Sequence, residues 1–303
     1  MSDTLATLNS PAAYSSIADK LEKGLIVQFP RCPFPMPDEA DQEFLRTEMP
    51  RHLSRKNISY HPETGAVHGL KGDRAMTERV TSILKNHSAQ VQEFFKANAP
   101  TLTQNWQVAT CSFRPMEEAG RNLSAHASNE LIHVDAGAYG ATHGDRVLRF
   151  FVNINPNQDR VWISKGAFPK LLATHGVAAG LTPGGMGSRI EESPVGRFYS
   201  AGLRGLSHFG LPLSQVLDTS PYDRAMRRFH NYMKDTPEFQ NSPEGLERFS
   251  FAPFSAWSVF TDMVSHACIA GRFALVSTFV VPMANCRRKE LVPFNILKGS
   301  AGH

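Results

Sequence analysis

"NELIHVDAGAYGATHGDRVLRFFVNINP", Asn129 to Pro156, decides how this chain is read. It sets His133 and Asp135 two residues apart, then opens a strand-like run with Arg149 near its head. A strand turns residues i and i+2 to one face, so a single strand can aim an imidazole and a carboxylate at the same ion. In "LRFFVNINP" the same parity puts Arg149, Phe151, Asn153 and Asn155 on one face, and Leu148, Phe150, Val152 and Ile154 on the other. The second face is wholly apolar and belongs against a core. The first suits the lining of a polar cavity, or a sheet face turned to water.

A histidine and an aspartate at this spacing are two legs of a 2-His-1-carboxylate site, the donor set that leaves open positions on Fe(II). The third leg must come from elsewhere in the chain. "WSVFTDMVSHACIAGRFALVSTFVV" carries His266 near the end of a strand-like run, then Ala270-Gly271-Arg272 as a turn, then another strong strand. A double-sheet jelly roll can bring such strands together on its inside. Asp262 shares the strand face of His266 by parity, as an acceptor for an imidazole N–H or as a capping aspartate. The chain has 12 histidines, so the HxD pair also fits a hydrogen-bonded core histidine. Both readings stay open on these residues alone.

The 303 residues are 41% hydrophobic and 20% charged, an ordinary globular composition with enough apolar material for a large core. A net charge of +4 falls short of a nucleic-acid-binding excess and favours an anionic small molecule, glycolipid or membrane surface. Cys32, Cys111, Cys268 and Cys286 form no CxxC pair, which fits a reducing compartment. The opening "MSDTLATLNSPAAYSS" lacks a basic n-region followed by an apolar run, so no secretory signal is expected. No apolar run is long enough to span a membrane.

Residues 1–103 read as helices separated by proline-rich turns. The clearest helix runs from Asp73 to Ala97, with Val80, Ile83, Leu84, Val91, Phe94 and Phe95 on one face. From Gln104 the chain reads as short strands: "QNWQVATCSFRPM", "NELIHVDAG", "RVLRFFVNINP" and "DRVWISKGAF". A helical insertion over about 190–240 follows, with Ser220 as N-cap, Pro221 at the first helical position and Asp223 three after the cap. Strands return in "ERFSFAP", "SAWSVFTDMVSHACIAG" and "RFALVSTFVVP". With no linker between the parts, residues 1–303 are expected to form one domain, its helices packed on the sheet. No G-x-S-x-G elbow, Walker A or strand-borne G-x-G-x-x-G is present. The glycine-rich "LTPGGMGSR" (Leu181–Arg189) reads as a mobile loop.

The stretches "FRPMEEAGR" (Phe113–Arg121), "ASNELIHVDAGAYGATHGDRVLRFFVNINP" and "VFTDMVSHACIAGRFALVSTFVVP" together resemble the 3-deoxy-D-manno-octulosonic acid (Kdo) hydroxylases. These are bacterial members of the Fe(II)/2-oxoglutarate dioxygenase superfamily. The resemblance runs from about Leu25 almost to the C-terminus. It implies an α+β fold, with a double-stranded β-helix (a cupin-like jelly roll) carrying the N-terminal helices and the helical insertion. It implies Fe(II), held by His133, Asp135 and His266 as catalytic metal ligands, with 2-oxoglutarate and O2 as cosubstrates. The substrate implied is Kdo, hydroxylated at C3 on Kdo-lipid A at the cytoplasmic face of the inner membrane. The protein is then expected in the cytoplasm, held peripherally on an anionic membrane surface. A homo-oligomer is left open.

The 2-oxoglutarate anchor departs from the common pattern. Many relatives carry a basic residue on the strand after the distal histidine, where this chain has Val276–Thr278. Other branches use the strand after HxD, where Arg149 stands, so Arg149 is the expected cosubstrate-binding residue and Arg272 the reserve. Arg114, Arg121 and Arg146 flank the motif strands and are candidates for the cavity mouth. Two alternatives remain at this level: the same iron chemistry on another small acid or sugar, and a non-oxidative cupin-like metal protein.

Overall fold

Arg146–Asn153, the strand whose parity divides so cleanly, lies in the middle of the larger of two sheets in this computed structural model, which describes residues 3–137, 141–181, 187–191 and 220–299. The strands in chain order are β1 (Leu5–Thr7), β2 (Ile26–Phe29), β3 (Ile58–His61), β4 (Ala66–His68), β5 (Gln107–Arg114) and β6 (Arg146–Asn153). They continue as β7 (Arg160–Ser164), β8 (Glu247–Phe251), β9 (Ala256–Phe260), β10 (Ala267–Ala270) and β11 (Ala274–Val281). The larger sheet runs β1-β2-β9-β6-β11-β5-β3-β4 and the smaller β10-β7-β8; among the described residues β1–β2 is the one parallel pair. In register, Arg149 of β6 stands opposite Thr278 of β11 and Val259 of β9.

The two sheets face each other across aromatic rings. Trp162 of β7 meets Phe151 of β6 edge-on at 4.8 Å, and Phe251 of β8 stacks on Trp257 of β9 at 3.9 Å. This is a jelly roll of the double-stranded β-helix type. The helices named in chain order are α1 (Ile17–Glu22), α2 (Glu39–Thr47), α3 (Arg74–Asn98), α4 (Phe168–His175), α5 (Pro221–Asp235), α6 (Pro237–Asn241) and α7 (Pro293–Lys298).

The apolar face of β6 turns outward onto α3. Phe150 touches Phe94 at 5.9 Å and Phe95 at 5.8 Å, and Phe34 and Phe29 close the cluster. Burying each such side chain stabilises the fold by about 1.5–3 kcal/mol. The 25-residue α3 has neither glycine nor proline inside, starts where the Asp73 carboxylate accepts from the Met76 N–H (2.8 Å), and stops just before Pro100. Its buried residues include all six of the predicted apolar stripe.

Three expectations change. Residues 1–103 contribute strands β1–β4 as well as helices; at 3 or 4 residues each, these are too short for alternation to reveal. "SAWSVFTDMVSHACIAG" is not one strand, because the chain turns at Thr261–Met263 between β9 and β10. Among the described residues "NELIHVDAG" forms no strand: it bends at 129–131, makes one isolated bridge, His133 opposite His266, and is held further by single backbone bonds at Asn129 and Asp135. Gly271 makes the turn into β11 with φ +110°, and a Cβ there would lie 2.8 Å from the Arg160 Cα, so only glycine fits. Most of "LTPGGMGSR", and residues 192–219 of the insertion, lie outside the described residues.

Candidate metal centre

The bridge between His133 and His266 builds the site. Each backbone N–H donates to the other's carbonyl (3.1 and 2.8 Å), so the two imidazoles leave the backbone side by side, ring centroids 4.7 Å apart. The next anchor, Asp135 N–H to Thr261 O at 2.7 Å, sets the carboxylate on the same side. One ligand atom from each of His133, Asp135 and His266 lies within 4.8 Å of the others.

Both rings are oriented in the same way. His133 Nδ1 lies 2.7 Å from Leu131 O and His266 Nδ1 lies 3.0 Å from Val264 O. A carbonyl only accepts, so Nδ1 carries the proton in each ring and Nε2 presents its lone pair. Burial pushes His133 down to about 3 and His266 to about 4, so both are neutral donors at neutral pH. Burial would raise Asp135, but the Arg149 guanidinium, its Nη2 2.9 Å from Oδ2, leads the groups that hold it well below the usual carboxylate range. His133 Nε2 faces Asp135 Oδ1 at 3.6 Å. With Nδ1 protonated, that is acceptor against acceptor, an arrangement a shared cation stabilises. Two neutral nitrogens and one carboxylate fit a ferrous ion as the 2-His-1-carboxylate set.

These groups open on a cavity of about 170 Å³. One wall comes from the strands: Arg114, Arg149, Phe151, Trp162 and Cys268. The other comes from the segment before the HxD pair and from α5: His126, Asn129, His230 and Lys234. Trp162 stacks on His266 at 5.1 Å and shields it. A larger cavity of about 300 Å³ lies among α4, α5 and α6, but the metal-ligating cluster found among the described residues is in the smaller one, and the chemistry belongs there.

From residue 5 to residue 303 the sequence matches the model of the 3-deoxy-D-manno-oct-2-ulosonic acid (Kdo) hydroxylase family. The chain belongs to the Kdo hydroxylases. Among solved structures it is similar to the apo form of the Kdo hydroxylase KdoO, a non-haem Fe(II) α-ketoglutarate-dependent dioxygenase. Identity is 28%, the match covers 99% of this chain and 97% of KdoO, and the TM-score is 0.79. The KdoO complex with α-ketoglutarate and Fe(III) matches at 27% identity over 98% of this chain and 96% of its own, TM-score 0.78. The complex with succinate and Fe(III) matches at 28% over 99% and 97%, TM-score 0.77. Comparison with curated protein sequences gives no match.

Behind the strand wall of this Kdo hydroxylase lies a buried charge cluster that the sequence reading missed. Glu118, 1% exposed, accepts from Arg160 Nη2 and from Asn129 Nδ2, both at 3.0 Å, with Arg121 at 3.7 Å and Arg114 at 3.9 Å. Burial opposes its ionisation, but Arg160, Arg114 and Lys56 hold its carboxyl below the ordinary value. It anchors two cavity residues from behind. Its signal was the acidic pair in "FRPMEEAGR", legible only once the surrounding arginines are known.

The predicted residues divide clearly. Arg149 lines the cavity, whereas Arg272 lies over the Phe273 ring at 4.1 Å and is not among the lining residues. Arg114 is in the cavity wall, but Arg146 is buried away from it, paired with Asp262 at 2.5 Å. Asp262 therefore does not serve His266, which uses the Val264 carbonyl instead. Trp162, His230 and Lys234 went unnoticed. The last two are one helical turn apart on α5, an amphipathic helix that buries Tyr222, Met226, Phe229 and Met233 and exposes Arg224, Arg227 and Arg228.

Proposed function

We infer that this protein hydroxylates C3 of Kdo in the Kdo-lipid A part of lipopolysaccharide, as an Fe(II)/2-oxoglutarate-dependent dioxygenase. One observation carries the reading: His133, Asp135 and His266 converge in a buried cavity of a chain that belongs to the Kdo hydroxylases. In this reading His133 and His266 offer Nε2, and Asp135 a carboxylate oxygen, to the iron. Bound Fe(II), with 2-oxoglutarate and O2, supplies the oxidation: a substrate C–H becomes C–OH as 2-oxoglutarate becomes succinate and CO2.

The chain's own part is to bind, orient and exclude water. Arg149 and Arg114, on the strand wall, are assigned to the carboxylate of 2-oxoglutarate distal to the metal, by charge-assisted pairs. Arg149 also neutralises Asp135 at 2.9 Å, so it serves ligand and cosubstrate together. Phe151 and Trp162 close the strand side with apolar rings, which lowers the local dielectric and strengthens each pair. The helical N-terminal part and the insertion are taken with the jelly roll as one dioxygenase domain, supported by the packing of α3 on β6.

Docking on the cytoplasmic face of the inner membrane is part of the proposal. It is supported by the net charge of +4 and by the anionic substrate. Among the described residues no helix is long and apolar enough to cross a membrane, so the contact is proposed as peripheral. The test of the reading is product analysis: purified, iron-loaded protein should convert Kdo-lipid A to its C3-hydroxylated form in step with succinate release. Succinate release coupled to a different small acid or sugar, with Kdo-lipid A untouched, would replace the substrate and keep the chemistry.

A further inference from the structure

We propose that the α5 wall of the cavity recognises the sugar acid: the Lys234 ammonium pairs with the Kdo carboxylate, and His230 Nε2 accepts a hydrogen bond from a sugar hydroxyl. The inference rests on the function proposed above and names how that substrate is read.

Lys234 is 6% exposed and lines the cavity. Its ammonium donates to His126 O at 3.0 Å and Ser128 O at 2.8 Å. An ammonium has three N–H donors, so one remains beyond these two carbonyls. Among the described residues it forms no ion pair within 4.0 Å. Its hydrogen bonds go to carbonyls alone, and the carboxylates of Asp135 and Asp235 act on it only from beyond ion-pair distance, so a buried ammonium of this kind gains from an anion brought into contact. His230 Nδ1 lies 2.7 Å from Val134 O, so Nδ1 is the protonated nitrogen and Nε2 is left as an acceptor. Its ring meets that of His133 edge-on at 4.9 Å, which places it beside the candidate metal ligands.

Charge counting points the same way. Arg114, Arg149 and Lys234 line the cavity beside the carboxylate of Asp135, and the Glu118 carboxylate stands behind Arg114 at 3.9 Å, which leaves the cations in excess. A divalent ion and the 2-oxoglutarate dianion cancel each other, so positive charge is left over for a second anion. The strand wall holds the two guanidiniums assigned to 2-oxoglutarate, and the opposite wall holds Lys234.

That wall is also rigid. The Ser220–Asp223 capping box fixes the start of α5, and Asp223 ties it to the Thr142 N–H at 2.8 Å. Gln240 of α6 bonds both the N–H and the carbonyl of Ile132 at 2.9 Å. The helix pair and the segment bearing His133 are thus one framework, and the ammonium needs little ordering when substrate arrives.

The experiment compares a soluble Kdo glycoside with its methyl ester, by calorimetric binding without oxygen to protein loaded with metal and 2-oxoglutarate. Wild-type protein should bind the acid roughly ten- to a hundredfold more tightly than the ester, the range of a charge-assisted pair. Lys234→Met should bind both at the ester's affinity while keeping wild-type affinity for 2-oxoglutarate, and Lys234→Arg should keep the preference for the acid. If Lys234→Met unsettles the 126–128 segment, Lys234→Gln, which retains a donor for the carbonyls, gives the same readout. A preference for the acid that survives in Lys234→Met or Lys234→Gln would make Lys234 a tether and overturn the proposal. Binding of neither compound by wild-type protein would instead overturn the function on which it rests.

Discussion

The Arg149 guanidinium lies 2.9 Å from the Asp135 carboxylate, one cavity residue neutralising another. The contact is close in charge yet poorly aligned as a hydrogen bond, since among the described residues Asp135 Oδ2 has no partner of good geometry despite the Nη2 at 2.9 Å. Such a loosely directed pair can keep Asp135 ionised while leaving both groups available to a metal and a second carboxylate.

Removing Arg149 should therefore do two things. Arg149→Ala is expected to raise the KM for 2-oxoglutarate roughly ten- to a hundredfold and also to weaken metal binding, because Asp135 loses its compensating cation. Arg114→Ala should raise the KM alone, and Arg272→Ala, outside the cavity, should change neither by much. Steady-state kinetics with a parallel metal titration checks this. A large KM effect in Arg272→Ala with none in Arg149→Ala would move the anchor to the turn.

Single alanine substitutions of His133, Asp135 and His266 should each abolish turnover and weaken Fe(II) binding, while thermal melting of the metal-free proteins stays close to wild type. The expectation follows from the shared geometry of the three donors. Near-normal activity in any one of them would remove that residue from the ligand set.

The pH dependence of stability has a definite sign. Burial pushes His87 and His266 to about 4 and His133 to about 3, while the unfolded chain carries histidine near 6.5. Below about pH 6.5 the unfolded state binds more protons than the native one, so stability falls as pH drops toward 4. Metal-free protein should show a falling Tm across that window. His87 sits against Phe34, and among the described residues neither ring nitrogen has a hydrogen-bond partner, so His87→Leu should make the fall shallower and cost little at pH 7. An unchanged slope in His87→Leu would show that this ring does not stay neutral in the fold.

Much of this was legible in the sequence, for physical reasons that can be named. The HxD spacing is visible in the chain itself although its segment forms no ladder, the two faces of β6 follow from strand geometry, and the cap of α5 is local chemistry at Ser220 and Asp223. What could not be read was either too short or decided at long range. Strand β9 is buried on both faces, so no alternation marked where it ended. Parity carried through the turn at Thr261–Met263 offers Asp262 to His266 as one of two readings, whereas its partner is Arg146 from another strand. Lys234 and Trp162 enter the cavity only because α5 and the smaller sheet close over it, a fact of tertiary packing.

The proposed membrane docking has its own signature. Exposed charges are screened over a Debye length of about 8 Å at physiological salt, so association with anionic vesicles should weaken as salt rises. Turnover of a soluble Kdo glycoside should depend on salt far less. Equal salt dependence for both, or no vesicle binding at low salt, would show that the net +4 is ordinary surface charge.

The most direct test follows one oxygen atom. Iron-loaded protein, 2-oxoglutarate and Kdo-lipid A are incubated under isotopically labelled dioxygen, and the product sugar is analysed by mass spectrometry. The account predicts one labelled oxygen atom on C3 of Kdo, matched by an equal amount of succinate and absent from His133→Ala and His266→Ala. A product without label, or label incorporated without 2-oxoglutarate, would contradict it.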